Sequence, residues 1–250
     1  MNILVAGGTG FLGSEVVKLL EKEGHKVIIH NRKHKAVPTR ADVIINCVGI
    51  LKENVYTFQE THVDFTEWLL KLGKKLRIQQ FVHISALGAK LDGTPYQTSK
   101  RKAELMIESS GVPYAIIRPS MIFGKKDKSI NMFRKICQTG FYPLLANGTV
   151  QPVAVETVAN VAVAAANRRI RNRTVEVGGP EIFTYASLAK RIHPGVHVVH
   201  VPCLLRWLMT LFAVIIPPLP TEDMIDMMRE ENTTTDSIVK KLKIRNPKLH

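Results

Sequence analysis

Tyr96 and Lys100 stand four residues apart in the segment Tyr96-Gln97-Thr98-Ser99-Lys100. On a helix that spacing places both side chains on one face. A nearby ammonium favours the phenolate and lowers a tyrosine pKa from its usual value of about 10. A phenol tuned in this way can give or take a proton at a carbonyl or an alcohol. Ser85 closes the apolar run Gln80 to Ile84, from which its hydroxyl could reach the same oxygen. Ser85, Tyr96 and Lys100 are therefore the expected catalytic residues.

A second cluster could hold a charged ligand. Gly7-Gly8-Thr9-Gly10-Phe11-Leu12-Gly13 follows an apolar run, Ile3 to Ala6, and opens a segment with helical apolar spacing. Gly7 permits a tight turn, Gly10 lets the backbone approach a diphosphate, and Gly13 lets helix and strand pack closely. The N–H groups of the first helical turn then face the phosphate charge. Gly7, Thr9, Gly10, Phe11, Leu12 and Gly13 are expected to line a dinucleotide. Val48, Gly49 and Pro119 are further expected contacts. Tyr96 and Lys100 should reach the nicotinamide ribose, with Ser85 beside the ring.

The end of the second strand selects the coenzyme. An NAD site places a carboxylate there for the ribose 2′-hydroxyl. This chain reads Ile29-His30-Asn31-Arg32-Lys33, with no acid before Asp42. Asn31 and Arg32 are the expected contacts, and an arginine can grip a 2′-phosphate with two hydrogen bonds. NADP(H) is expected over NAD(H).

These residues require particular elements around them. Strands are predicted at Ile3 to Ala6, Lys26 to His30, Asp42 to Val48, Gln80 to Ile84, Pro113 to Arg118 and Arg173 to Val177. Helices are predicted at Phe11 to Glu23, Thr57 to Leu76, Pro95 to Ser110, Asn131 to Thr139 and Glu156 to Asn167. Strands alternating with helices imply βαβ units. The fold class is α/β: a doubly wound parallel sheet of Rossmann type with a small, mainly helical C-terminal cap. Residues 1–150 form the expected core, and 151–250 add a last strand and the cap.

Lys and Arg total 35 against 21 Asp and Glu, a net charge of +14. The surplus lies in short runs such as Arg32 to Lys35, Lys71 to Arg77 and Lys240 to Lys248. An anionic partner fits this balance: a phosphorylated cofactor or an acidic membrane surface. Zinc spacing and RNP-like aromatic motifs are absent, so nucleic acid is not expected. No H-E-x-x-H or similar spacing occurs among the nine histidines, and no metal is expected. Cys47, Cys137 and Cys203 form no C-x-x-C pair, and Cys47 reads as a packing residue. His62 could assist proton transfer, but a helix-surface position is the simpler reading. The stretch Val201 to Ile216 is nearly all apolar but shorter than the ~20 residues a spanning helix needs. It reads either as a buried cap helix or as a helix lying in a membrane interface. Met1-Asn2 runs at once into a strand, so no signal peptide is expected and the cytoplasm is favoured.

In this order, the loop Gly7 to Gly13, Val82-His83-Ile84-Ser85, the pair Tyr96 and Lys100, and Arg118-Pro119-Ser120-Met121-Ile122-Phe123-Gly124 resemble the short-chain dehydrogenase/reductase superfamily, in its extended and atypical branches. Three stretches resemble more closely the NADPH-holding accessory subunits of respiratory complex I and their prokaryotic relatives. They are Arg118 to Gly124 with the charged run after it, Gln151-Pro152-Val153-Ala154-Val155, and Leu205-Arg206-Trp207 followed by Pro220-Thr221-Glu222-Asp223. That resemblance implies a bound nucleotide with little turnover and complex I or a membrane surface as partner. An NADP-dependent oxidoreductase acting on a small or lipophilic carbonyl or alcohol is the alternative. A nucleotide-sugar epimerase or dehydratase ranks last. His62 and Phe65 replace the Asn and Gly usual in epimerases, and Met121 replaces another Asn. Only eleven residues, Asn31 to Ala41, separate the second strand from Asp42, where the superfamily usually fits another strand and helix.

Overall fold

The computed structural model describes residues 1–31, 37–127, 129–201 and 221–249. Its main sheet has six parallel strands in the order β10-β5-β4-β3-β1-β2. They are β1 (Asn2–Ala6), β2 (Lys26–His30), β3 (Val43–Asn46), β4 (Gln80–Ile84), β5 (Tyr114–Pro119) and β10 (Arg173–Val177). The chain passes from β1 outward to β2, then returns to place β3 on the other side of β1. That reversal opens a crevice at the carboxyl ends of β1 and β3, the position at which doubly wound sheets take ligands.

Helices cover both faces. α1 (Phe11–Lys22) and α5 (Val155–Ala166) pack on one side, where Ile3, Val5, Ile45, Val82 and Ile117 meet Val16, Leu20, Val158 and Ala162. α2 (Phe65–Leu76) and α3 (Pro95–Glu108) lie on the other, where Leu4, Ile44, Phe81 and Ile116 meet Leu69, Leu72 and Ile107. The alternation of side chains along each strand sorts these residues to the two faces. α5 is apolar nearly all round because α1, the sheet and α8 (Ile238–Leu242) enclose it.

The remaining described elements form a third apolar cluster. α4 (Ser129–Cys137) and α6 (Tyr185–Ile192) pack with short strands through Phe133, Tyr142, Leu144 and Leu188. The short strands of this region are β6 (Ile122–Phe123), β7 (Phe141–Leu144), β8 (Thr149–Val150), β9 (Val153–Ala154), β11 (Phe183–Thr184), β12 (His197–His200) and β13 (Glu231–Asn232). They pair as β11-β8-β13, β12-β7 and β6-β9. Two to four residues are too few to show alternation, so the sequence reading left these strands out. α7 (Glu222–Met227) is capped by Thr221, whose hydroxyl accepts from the Met224 N–H. Gln151 ties this region to the core: its Nε2 donates to Gly179 O at 2.8 Å and its Oε1 accepts from Thr234 N at 2.8 Å.

The apolar stretch Val201 to Ile216 falls outside the described residues from position 202 onward, as do Leu205-Arg206-Trp207. Among the described residues, no helix is long and apolar enough to cross a membrane.

Candidate functional site

The glycine turn lies at the sheet reversal. Gly7, at φ +77°, leaves β1, and its N–H donates to His30 O at 2.8 Å. Gly10 N–H folds back on Gly7 O at 2.9 Å. A β-carbon at Gly13 would collide with the Gly7 carbonyl, so any side chain there would push α1 off β1. Gly10 is the N-cap of α1 and offers no side-chain cap. α3 differs: Thr94 and Gln97 close a capping box around its first turn. The opening amides of α1 therefore have no side-chain cap, and Gly7, Thr9, Gly10, Phe11 and Leu12 could hold a diphosphate there. Asn31 reaches the same loop, its Nδ2 donating to Thr9 Oγ1 at 3.4 Å. Arg32 lies outside the described residues.

The catalytic candidates come from β4 and α3. Lys100 is 3% exposed, and its ammonium donates to Ile84 O at 3.1 Å. Burial pulls its pKa down to about 8, against the opposing pull of Glu104 and Cys47. Gly49, after β3, makes room for it: a β-carbon there would stand 3.2 Å from Lys100 Nζ and 3.6 Å from His62 Nε2. Val48 packs beside Gly7, and its N–H donates to Asn46 Oδ1 at 3.1 Å. Pro119 ends β5, its carbonyl accepting from Leu87 N at 3.0 Å. The Cys47 thiol is pushed up to about 12 by burial and stays protonated.

Tyr96 stands edge-on to Phe58 and His62, with ring centroids 5.7 and 5.6 Å away. Burial pushes its phenol up to about 12. The lowering expected from Lys100 is absent: burial alone sets the direction. Ser85 is on the same side of β4 as His83, which aims it at α3. Its hydroxyl donates to Glu104 Oε1 at 2.6 Å. Glu104 is fully buried and is gripped by Arg118 through Nε at 2.8 Å and Nη2 at 2.5 Å, and by Arg101 at 2.9 Å.

The sequence reading missed a polar layer beneath this site. His62 is 1% exposed, so it is not a surface residue. It sits in a π-helical turn, Gln59–Asp64, that precedes α2, and such turns gather at functional sites. Its Nε2 accepts the Ile50 N–H at 3.1 Å, which puts the ring proton on Nδ1, 2.8 Å from Ser99 Oγ. Ser99 in turn donates to Tyr96 O at 2.8 Å. Burial first, then Lys100 and His83, hold the His62 pKa down to about 2. Asn46 Nδ2 donates to Thr66 Oγ1 at 3.1 Å and faces His83 Nδ1 at 3.3 Å, while Thr66 donates to His62 O at 2.7 Å. One signal was available: Asn46 and His83 interrupt otherwise apolar strands.

A glycine turn with uncapped amides, at the reversal of a parallel sheet and beside a buried lysine, defines a dinucleotide-binding α/β protein. The chain belongs to the NAD dependent epimerase/dehydratase family, whose model matches residues 3–178. It is 30% identical over 225 residues to NADH dehydrogenase [ubiquinone] 1 alpha subcomplex subunit 9, mitochondrial, of Arabidopsis thaliana. That match covers 74% of this chain and 56% of the relative, so the chain spans little more than half of that protein. It is 27% identical over 209 residues to NAD(P)H azoreductase of Xenophilus azovorans, covering 75% of this chain and 71% of the relative. The fold matches dTDP-glucose 4,6-dehydratase of Bacillus anthracis in complex with NAD, at a TM-score of 0.70, 16% identity, and coverage of 100% and 92%.

Proposed function

We propose that this chain holds NADP(H) with little turnover, in the manner of a complex I accessory subunit, at the cytoplasmic face of a membrane. One observation carries the low-turnover part. Two of the three groups that would move a proton at a carbonyl are engaged elsewhere, Ser85 with Glu104 and Lys100 with Ile84 O, and burial raises the third, the Tyr96 phenol, to about 12. A bound coenzyme would supply a hydride, but a phenol raised this far gives its proton to the receiving oxygen less readily than one lowered by a nearby ammonium.

The preference for NADP(H) is supported by charge. Asn31 to Ala41 contains Arg32, Lys33, Lys35 and Arg40 and no carboxylate. The next acid, Asp42, precedes β3 and accepts from Asn2 N at 2.7 Å, at the amino end of the sheet. It therefore lies across the sheet from any ribose at the carboxyl end of β2. Membrane association is supported by the +14 charge and the apolar run from Val201.

An oxidoreductase is the second reading. A cavity of about 400 Å³ lined by Phe58, Pro95 and Ser99 adjoins Tyr96, and a related protein is named as a reductase. Purified protein should be stripped of nucleotide, reloaded with NADPH and offered a panel of aldehydes, ketones, quinones and azo dyes. Tightly held NADPH that none of them oxidises supports the first reading. Steady oxidation abolished by Tyr96→Phe would replace it with the second.

A further inference from the structure

β2 is the outer strand of the main sheet. Three aromatic rings gather at its carboxyl end. His30, its last residue, lies 5.1 Å from Trp68 and 5.8 Å from Phe65 by ring centroid. Phe65 and Trp68 stack on one another at 5.5 Å with their planes 21° apart. His30 is 8% exposed, whereas Trp68 is 37% exposed at the outer end of the group. The group is tied to the phosphate turn, since the His30 carbonyl accepts the Gly7 N–H and Asn31 reaches Thr9.

A dinucleotide with its diphosphate on the α1 amides carries its adenosine past the carboxyl end of β2. The short link after β2 leaves this chain without the acid that usually fixes the adenosine there. A purine offers flat π faces to an aromatic ring, and such stacking needs no hydrogen-bonding partner. We propose that Trp68, backed by Phe65 and His30, is the ledge on which the adenine of the dinucleotide stacks. This rests on the dinucleotide reading above and assigns the base to residues of α2. Trp68 thereby sets affinity for the adenosine half and leaves the nicotinamide half to the β3, β4 and α3 residues.

The test is titration calorimetry of the full chain with NADP, 5′-AMP and nicotinamide mononucleotide, in wild type, Trp68→Leu and Trp68→Phe. Trp68→Leu should weaken NADP and 5′-AMP about tenfold, the scale of losing one base stack. Nicotinamide mononucleotide should bind both proteins alike, and Trp68→Phe should recover most of the loss. Unchanged NADP and 5′-AMP affinity in Trp68→Leu, with the variant folded by circular dichroism, would overturn the ledge. Equal weakening of all three ligands would overturn it too. A wild type that binds none of them would instead remove the dinucleotide reading itself.

Discussion

Lys100 is a charged group held in the core, and its cost can be measured. Burial brings its pKa from 10.5 to about 8. Below pH 8 both folded and unfolded chains carry the proton, and the folded chain bears the full penalty. Between 8 and 10.5 the unfolded chain binds more protons, so stability rises with pH. At ~1.4 kcal/mol for each pH unit of that gap, the penalty at pH 7 is about 3 kcal/mol. Roughly 2 kcal/mol of it should disappear by pH 10. Lys100→Met keeps the length of the side chain and removes the charge. Urea unfolding of both proteins at pH 7, 8, 9 and 10 separates this residue from all others that titrate. Lys100→Met should be the more stable protein at pH 7, less the contribution of the lost bond to Ile84 O, and its advantage should shrink steadily towards pH 10. An advantage that stays flat or grows with pH would refute a buried, destabilised ammonium.

Other consequences follow from the same cluster. Glu104→Ala would strand Arg118 and Ser85, and losing one partner of a buried ion pair costs about 3–5 kcal/mol. For a chain of this size that lowers the melting temperature by roughly 10 °C, readable by circular dichroism. His62 should remain neutral, with its proton on Nδ1, from pH 8 down to pH 4, which nitrogen-detected NMR of labelled histidine would show directly. Tyr96→Phe should leave NADPH affinity within about twofold, because the hydroxyl is not needed to hold a diphosphate on main-chain amides; fluorescence titration of the reduced coenzyme checks this.

Much of the fold was legible because its signals are local. β2, β4 and β10 match the predicted Lys26–His30, Gln80–Ile84 and Arg173–Val177 residue for residue. The glycine turn was legible for the same reason, since strand, turn and helix follow one another directly. The helix predicted over Thr57 to Leu76 proved to be a π-helical turn followed by α2. Thr66 bonding back to His62 O is a packing event with no periodic signature. The Tyr96 and Lys100 spacing correctly placed both on α3, but it could not show that Lys100 is turned to Ile84 O. Ser85 was read from its place at a strand end. Its actual partner, Glu104, is 19 residues away on a helix, and Arg118 is 14 residues beyond that. Pairings of that kind are set by how β4, β5 and α3 pack together, which composition and spacing do not record.

On the proposed reading, main-chain amides of the first glycine turn hold a dinucleotide. Gly13→Val tests it most directly, because a side chain there collides with Gly7 O and forces α1 away from β1. Calorimetric titration with NADPH should show one site per chain in the wild type and no measurable heat of binding in the folded variant. NADPH binding equally well to Gly13→Val, or a wild type that binds no dinucleotide at all, would contradict the account.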